Sequence, residues 1–405
     1  MRPSRRATMT LVGALVGALT LLTGVLTAAP SQARPADTWT VPSAAWVQVA
    51  GRGYGHGHGM SQYGAEGAAR QGLKHGRILD FYYPGTARGT SKGRVTVLVS
   101  ADTTDDLEVL ARPRLSVRDI AGGAPVVLPD KGASRWRIAV APNGLDRVSF
   151  RTDHWRRWRD LRGQGEFYAG GDPITLVTPS GERPYRGRLR AAAPSAGSSA
   201  RDTVNDLLMD SYIQGVVPLE IPASWSTEAV RAQAVAARTY ASYERLHPKA
   251  SHYELCDTTS CQVYGGVAAE HPASNAAVRA TAGVILTYDG APAFTQFASS
   301  SGGFTSAGSV PYLAAVEDPY DGWSGNPVHT WSTRIADTAF ERAWPAIGNL
   351  TRLQVTRRDG NGEWGGRIAA ITITGSAGSV VVSGDTLRSV LRLRSTWMTF
   401  RVTRR

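Results

Sequence analysis

The sequence predicts an α+β fold, antiparallel-strand-rich with a central Ala-rich active-site helix, from three observations. Apolar residues alternate in the first half, a long helix of small residues follows, and the chain closes on strands and a short helix. Val95, Val97 and Val99 share one parity, as do Trp136, Ile138 and Val140. Gly, Pro and Asp clusters separate these runs, which is the period of a half-buried sheet. EAVRAQAVAARTYASYERL (228–246) is the clearest helix: Ser226 stands at its N-cap, Glu228 in the first turn where the dipole favours an anion, and Pro248 ends it. Val230, Ala234, Ala237 and Ala241 fall on one side of its wheel and further alanines cover much of the rest, so it is slim enough to be packed on several sides.

The other elements follow in order. Gly51 to Thr86 is glycine-rich and then helical, AAAPSAGSSA (191–200) reads as a loose loop, and VVPLEIP (216–222) as a proline-shaped turn. Strands are expected around Ile371 to Ile373 and Val380 to Val382, with a short helix over LRSVLRL (387–393). The resulting segmentation is an export leader (1–33), a glycine-histidine segment packing on the core (34–86), a strand-rich region with the loose loop (87–200), and the main core (201–405).

With 405 residues and 42% apolar content the chain can bury a large core. Its basic head, the apolar run from Met9 to Ala29, and small residues at Ser31 and Ala33 read as an export signal, the alternative being an uncleaved membrane anchor. Ser4, Arg5 and Arg6 loosely fit a twin-arginine route. The formal charge is +12, and +9 once Arg2, Arg5 and Arg6 leave with the leader. An exported basic protein meets wall polymers and phospholipid heads rather than nucleic acid; the other reading of the scattered cations is a solvated surface. A membrane is contacted only through the leader, if it stays uncleaved. The sequence holds no P-loop, dinucleotide fingerprint or nucleophile elbow, which disfavours nucleotide and acyl-enzyme chemistry.

One carboxyl group stands out. Glu220 is set among Leu219, Ile221, Pro222 and Trp225. Desolvation of its charged form would raise its pKa and let it donate a proton near neutrality, as glycosidic cleavage requires; a surface glutamate in a turn is the alternative. Arg238 borders the small-residue face of the helix and needs a partner if buried: Glu220, a substrate group, or a structural acid such as Asp257. Gln233 and Tyr240 on the same helix either bond substrate or pack. In GRGYGHGHGMSQYGA (51–65) six glycines permit close backbone approach, and His56 and His58 alternate so as to face one way. They suit hydrogen bonding better than an incomplete metal site. FTQFASSSGGFT (294–305) puts Ser299, Ser300 and Ser301 before two glycines, lining a cleft or forming a turn. Cys256 and Cys261 are the only cysteines. In an oxidising compartment they favour a disulfide over zinc binding with His252, so no cofactor is expected.

Several of these stretches together resemble the SpoIID/LytB family. They are YIQGVVPLEIPASWSTEAVRAQAVAARTYA (212–241), CDTTSCQVYGG (256–266), TAGVILTY (281–288) with the Ser/Gly run after it, LRSVLRLRSTWM (387–398), and GYGHGHGMSQYGAEGAARQG (53–72) with ILDFYYPGT (78–86). Residues 88–190 carry none of its motifs. The resemblance implies lytic transglycosylase action on peptidoglycan glycan strands, between N-acetylmuramic acid and N-acetylglucosamine, leaving a 1,6-anhydro sugar. Glu220 matches the catalytic glutamate and Arg238 the active-site arginine. His56, His58, Ser61, Gln62, Gln233, Tyr240, Gln262, Tyr264, Ser299, Ser300 and Ser301 are then the expected substrate-binding set. The LytB branch implies a rival, non-catalytic role, as an enhancer of a separate cell-wall amidase or as a wall-binding module. Two departures stand out: the glycine-histidine signature precedes the glutamate instead of lying near the C-terminus, which implies a rearranged order around a shared cleft; and Ser260 stands where a zinc-binding histidine is expected, which weakens the case for zinc.

Overall fold

The alternating segments form two large sheets that enclose the principal core. The computed structural model describes residues 37–405, so the leader expected over 1–33 lies outside the described residues. One sheet has six strands, in spatial order Trp155–Asp160, Asp146–Arg151, Arg135–Val140, Leu107–Leu110, Ile174–Thr178 and Gly181–Tyr185. The other has seven: Leu255–Cys256, Arg94–Leu98, Asp202–Leu208, Arg188–Ala192, Gly165–Tyr168, Ser116–Asp119 and Val126–Val127. Pairing is antiparallel except where Leu255–Cys256 runs parallel to Arg94–Leu98. Val95, Val97, Val99, Trp136 and Ile138 are buried between the sheets, as their parity requires. Each contributes on the order of 2 kcal/mol of apolar transfer.

Seven α-helices occur among the described residues: α1 (Gln62–Arg70), α2 (His75–Tyr82), α3 (Met209–Glu220), α4 (Thr227–Leu246), α5 (Pro272–Ala280), α6 (Asp337–Ala343) and α7 (Gly384–Val390). The long predicted helix is α4, and it is central. Val230, Ala234, Ala237 and Ala241 join the sheet core together with α3, while Ala229, Ala232, Val235 and Ala236 meet Ile78, Leu79 and Tyr82 of α2 in a second cluster. Side chains no larger than valine let two cores close on one helix.

Three local readings need correction. Pro218 is not in a turn but inside α3, which continues to Glu220 and stops there because Ile221, preceding Pro222, is extended (φ −137°). Ala191 and Ala192 are not loop: they pair with Thr203 and Asp202, so the irregular stretch begins only at Ala193. Helix α7 starts at Gly384, where Ser383 caps it by accepting from the Thr386 amide, and ends at Val390. The expected strands lie within Ile368–Gly375 and Ser379–Ser383.

An early described strand pairs with the last one. Strand Ala45–Arg52 lies between Thr330–Ala336 and the last strand, Met398–Arg404. It leads directly into the glycine-histidine segment, which therefore approaches the core from the side where the chain terminates.

Candidate active site

Helix α3 ends on Glu220, and that ending places a carboxyl group in a cleft of about 310 Å³. Around it, α4 contributes Tyr240, the glycine-histidine segment contributes His56, the loop around Cys261 gives Thr259 to Val263, and the stretch before the serine run gives Gln296 and Phe297. Burial raises the Glu220 pKa above the ordinary carboxylate value, against the opposing effect of the Gln62 side chain and the Val263 amide, which hydrogen-bond the charged form. Its seat at a helix C-terminus, the negative end of the dipole, disfavours the anion further. The Gln62 amide donates to Glu220 Oε2 at 3.5 Å across 158 residues of sequence. The signature segment and the glutamate thus share one cleft.

Glycines make that approach feasible. A Cβ on Gly59 (φ +66°) would sit 2.0 Å from the Gln296 carbonyl oxygen, and one on Gly57 (φ +82°) 2.3 Å from the Arg367 guanidinium. Only a bare backbone threads this space. His56 and His58 do face one way, with ring centroids 5.0 Å apart. The His58 amide donates to His56 Nδ1 at 3.0 Å. Burial, with His58, Arg367 and Arg388 nearby, pushes the His56 pKa down to about 3, so its ring is neutral. Cys256 and Cys261 are joined in a disulfide that pins the Thr259–Gln262 wall, and His252 instead bonds Asp202 at 2.7 Å.

Residues 198–288, which span the glutamate, α4 and the disulfide wall, match the family model described as "SpoIID: Stage II sporulation protein". The chain carries a SpoIID domain. That stretch is similar to the SpoIID family, and the chain's relatives carry matching names. It is 42% identical over 121 residues to the amidase enhancer of Bacillus subtilis, covering 28% of this chain and 16% of that one. It is 34% identical over 146 residues to stage II sporulation protein D of the same organism (30% and 42% covered). To stage II sporulation protein D of Bacillus amyloliquefaciens it is 28% identical over 218 residues (49% and 61%). Less than two thirds of each relative is spanned.

Within and around the SpoIID domain the expected site residues separate into three groups. Glu220, Gln62, His56, Tyr240 and Gln262 come together. Gln262 is itself held by the Tyr212 hydroxyl and the Ala237 carbonyl, and burial together with Glu244 pushes the Tyr240 phenol up. Arg238, Gln233 and Tyr264 serve the interior. Arg238 is fully buried: its Nε bonds Asp210 at 2.7 Å, and its other nitrogens donate to the carbonyls of Ala234, Val278 and Val284. Its partner is thus neither Glu220 nor Asp257, and it ties the start of α3 to α4. Gln233 is buried in α4 away from the cleft wall, and the Tyr264 hydroxyl donates to Asn205.

The third group is the serines. Ser61 and Ser300 donate to the buried carboxylate of Asp321, and Ser301 donates to Asp318. They brace a polar network beside the glycine-histidine segment rather than line the Glu220 cleft. Ser299 accepts the Tyr63 amide through its carbonyl, and His58 contacts the Ser306 carbonyl.

Residues missed from sequence include Gln296, Phe297, Asp321 and Glu66. Glu66 is wholly buried, accepting from the Ser226 amide and hydroxyl; Ser226 occupies the N-cap of α4, but its side chain serves Glu66 instead. The alternation of small residues around Glu66 gave no signal of this.

Proposed function

We propose that this protein is a peptidoglycan lytic transglycosylase with Glu220 as its single general acid/base. The observation that carries the reading is that Glu220, desolvated and raised in pKa, is the only acid among the described residues lining its cleft. Hydrolytic glycosidases flank the scissile bond with two carboxyl groups, one acting as acid and the other as base or nucleophile. A cleft with one suits an attack that needs no activated water. Protonated Glu220 donates to the bridging oxygen as the bond from muramyl C1 breaks; the C6 hydroxyl closes on C1; its proton passes to the carboxylate, restoring the acid. Neutral His56 offers no competing cation, and Gln62 holds the carboxyl orientation. Arg238 acts through structure, fixing the helix pair that presents Glu220. The site would lie in the cell wall, reached by export.

The test is mass spectrometry of muropeptides released from bare glycan strands. Wild type should release anhydro-muramyl ends and Glu220→Gln should not; equal release by both would refute the assignment. A second reading, stimulation of a cell-wall amidase, is favoured by the amidase enhancer among the relatives. Undiminished stimulation of a purified amidase by Glu220→Gln, with no strand cleavage by wild type, would select it.

A further inference from the structure

A second cleft, of about 470 Å³, opens beyond the serine run, lined by Arg52, His329, Glu363, Phe304, Glu317 and Trp397 among others. Its polar wall is a fixed relay. Asp321, wholly buried, accepts from Ser61, Ser300, the Ser301 and Gly302 amides and Asn326. It also holds His329 Nδ1 at 2.8 Å. That bond sets the ring so that Nε2 takes the Arg52 Nη1 hydrogen at 3.2 Å. Arg52 is rigid at its root: its amide donates to the Trp397 carbonyl and its own carbonyl accepts from Ser395. The guanidinium is therefore presented, not merely exposed.

What occupies it now is a carboxylate of the protein itself. Glu363 Oε2 lies 2.8 Å from Arg52 Nε and 2.6 Å from Nη2, with the glutamate side chain 48% exposed. Glu363 rides on a loop in which Gly360, Gly362, Trp364, Gly365 and Gly366 all have positive φ. Such a loop is held by its own turns, and the Glu363 side chain adds only a solvent-screened ion pair. An exposed side chain is a weak competitor for a rigid, partly desolvated guanidinium whose planar fork matches a carboxylate.

We infer that this cleft is a carboxylate-binding subsite in which Glu363 stands in for the ligand's carboxylate and Arg52, positioned through His329 and Asp321, receives it. The inference rests on the peptidoglycan reading for the ligand's source. There a carboxylate is supplied either by the lactyl group of a muramic acid stripped of its peptide or by a peptide C-terminus. The serine run that separates the two clefts would then let one strand engage both.

Calorimetric titration of the full chain with N-acetylmuramic acid, D-alanyl-D-alanine and N-acetylglucosamine tests this. One of the two carboxylate probes should bind and the neutral sugar should not; whichever binds identifies the source. Arg52→Met should weaken that binding by about tenfold or more, the loss of a charge-assisted bond. Glu363→Ala should strengthen it several-fold, a gain that misfolding cannot produce, since the Glu363 backbone carbonyl still accepts from Trp397 Nε1. Equal binding of N-acetylglucosamine, no binding of either acid, or an unchanged affinity in Glu363→Ala would overturn the inference. Because binding is read without cleavage, and is expected to persist in Glu220→Gln, its failure is separate from failure of the transglycosylase reading.

Discussion

Asp210→Asn is the perturbation that best separates a structural from a chemical role for Arg238. It removes the one charge that faces a fully buried guanidinium while keeping the shape and an acceptor oxygen. Removing one partner of a buried pair costs 3–5 kcal/mol, because the other charge stays buried and uncompensated. Here three backbone carbonyls still accept from Arg238, and the Asp210 side chain is 39% exposed, which puts the expected loss at the low end, about 3 kcal/mol. At roughly 2 °C per kcal/mol for a chain of this size, the midpoint should fall by about 6 °C. Scanning calorimetry of the two proteins measures it. Glycan cleavage by the variant well below its midpoint should retain the wild-type kcat/KM, since Arg238 does not reach the cleft. A midpoint unchanged within about 1 °C would refute the energetic argument, and lost activity in a stable variant would return Arg238 to the chemistry.

Two further outcomes concern acids. Gln62→Leu removes a hydrogen bond that favours ionised Glu220, so the carboxyl should hold its proton to higher pH and the alkaline limb of kcat/KM should move up; a limb moving down, or not at all, would contradict the geometry. Asp318 is the opposite case in stability terms: burial, with Asp321 adjacent, pushes its pKa from 3.8 up to about 6. The folded state therefore binds the proton more tightly, so the stabilisation is complete below 3.8 and lost as pH rises through about 6. Asp318→Asn should flatten the denaturant midpoint over that window, and an unaltered pH profile would count against the burial argument.

Much of the architecture was legible because its signals are local. Alternation at Val95 to Val99 needs only neighbours in sequence, and so does the alanine pattern of α4. Glu220 was singled out by its apolar and proline neighbours, yet Leu219 and Pro222 are exposed and the walls of its cleft come from residues distant in sequence, so its desolvation is a tertiary effect; the glycines of the glycine-histidine segment did imply a close approach. The helical state of Pro218 was not legible, because a proline near the end of a helix loses one hydrogen bond that packing against α4 offsets.

Which groups meet was decided by tertiary structure alone. A sequence shows that Arg238 needs a partner but not that Asp210 is it, and it lists Ser61, Ser300 and Ser301 without revealing the carboxylate of Asp321 they surround. The pairing of Ala45–Arg52 with Met398–Arg404 brings the signature segment to the glutamate despite its early place in the chain. Propensity and periodicity act over a few residues, whereas a hydrogen bond or an ion pair depends on positions in space that only the packed sheets and helices define.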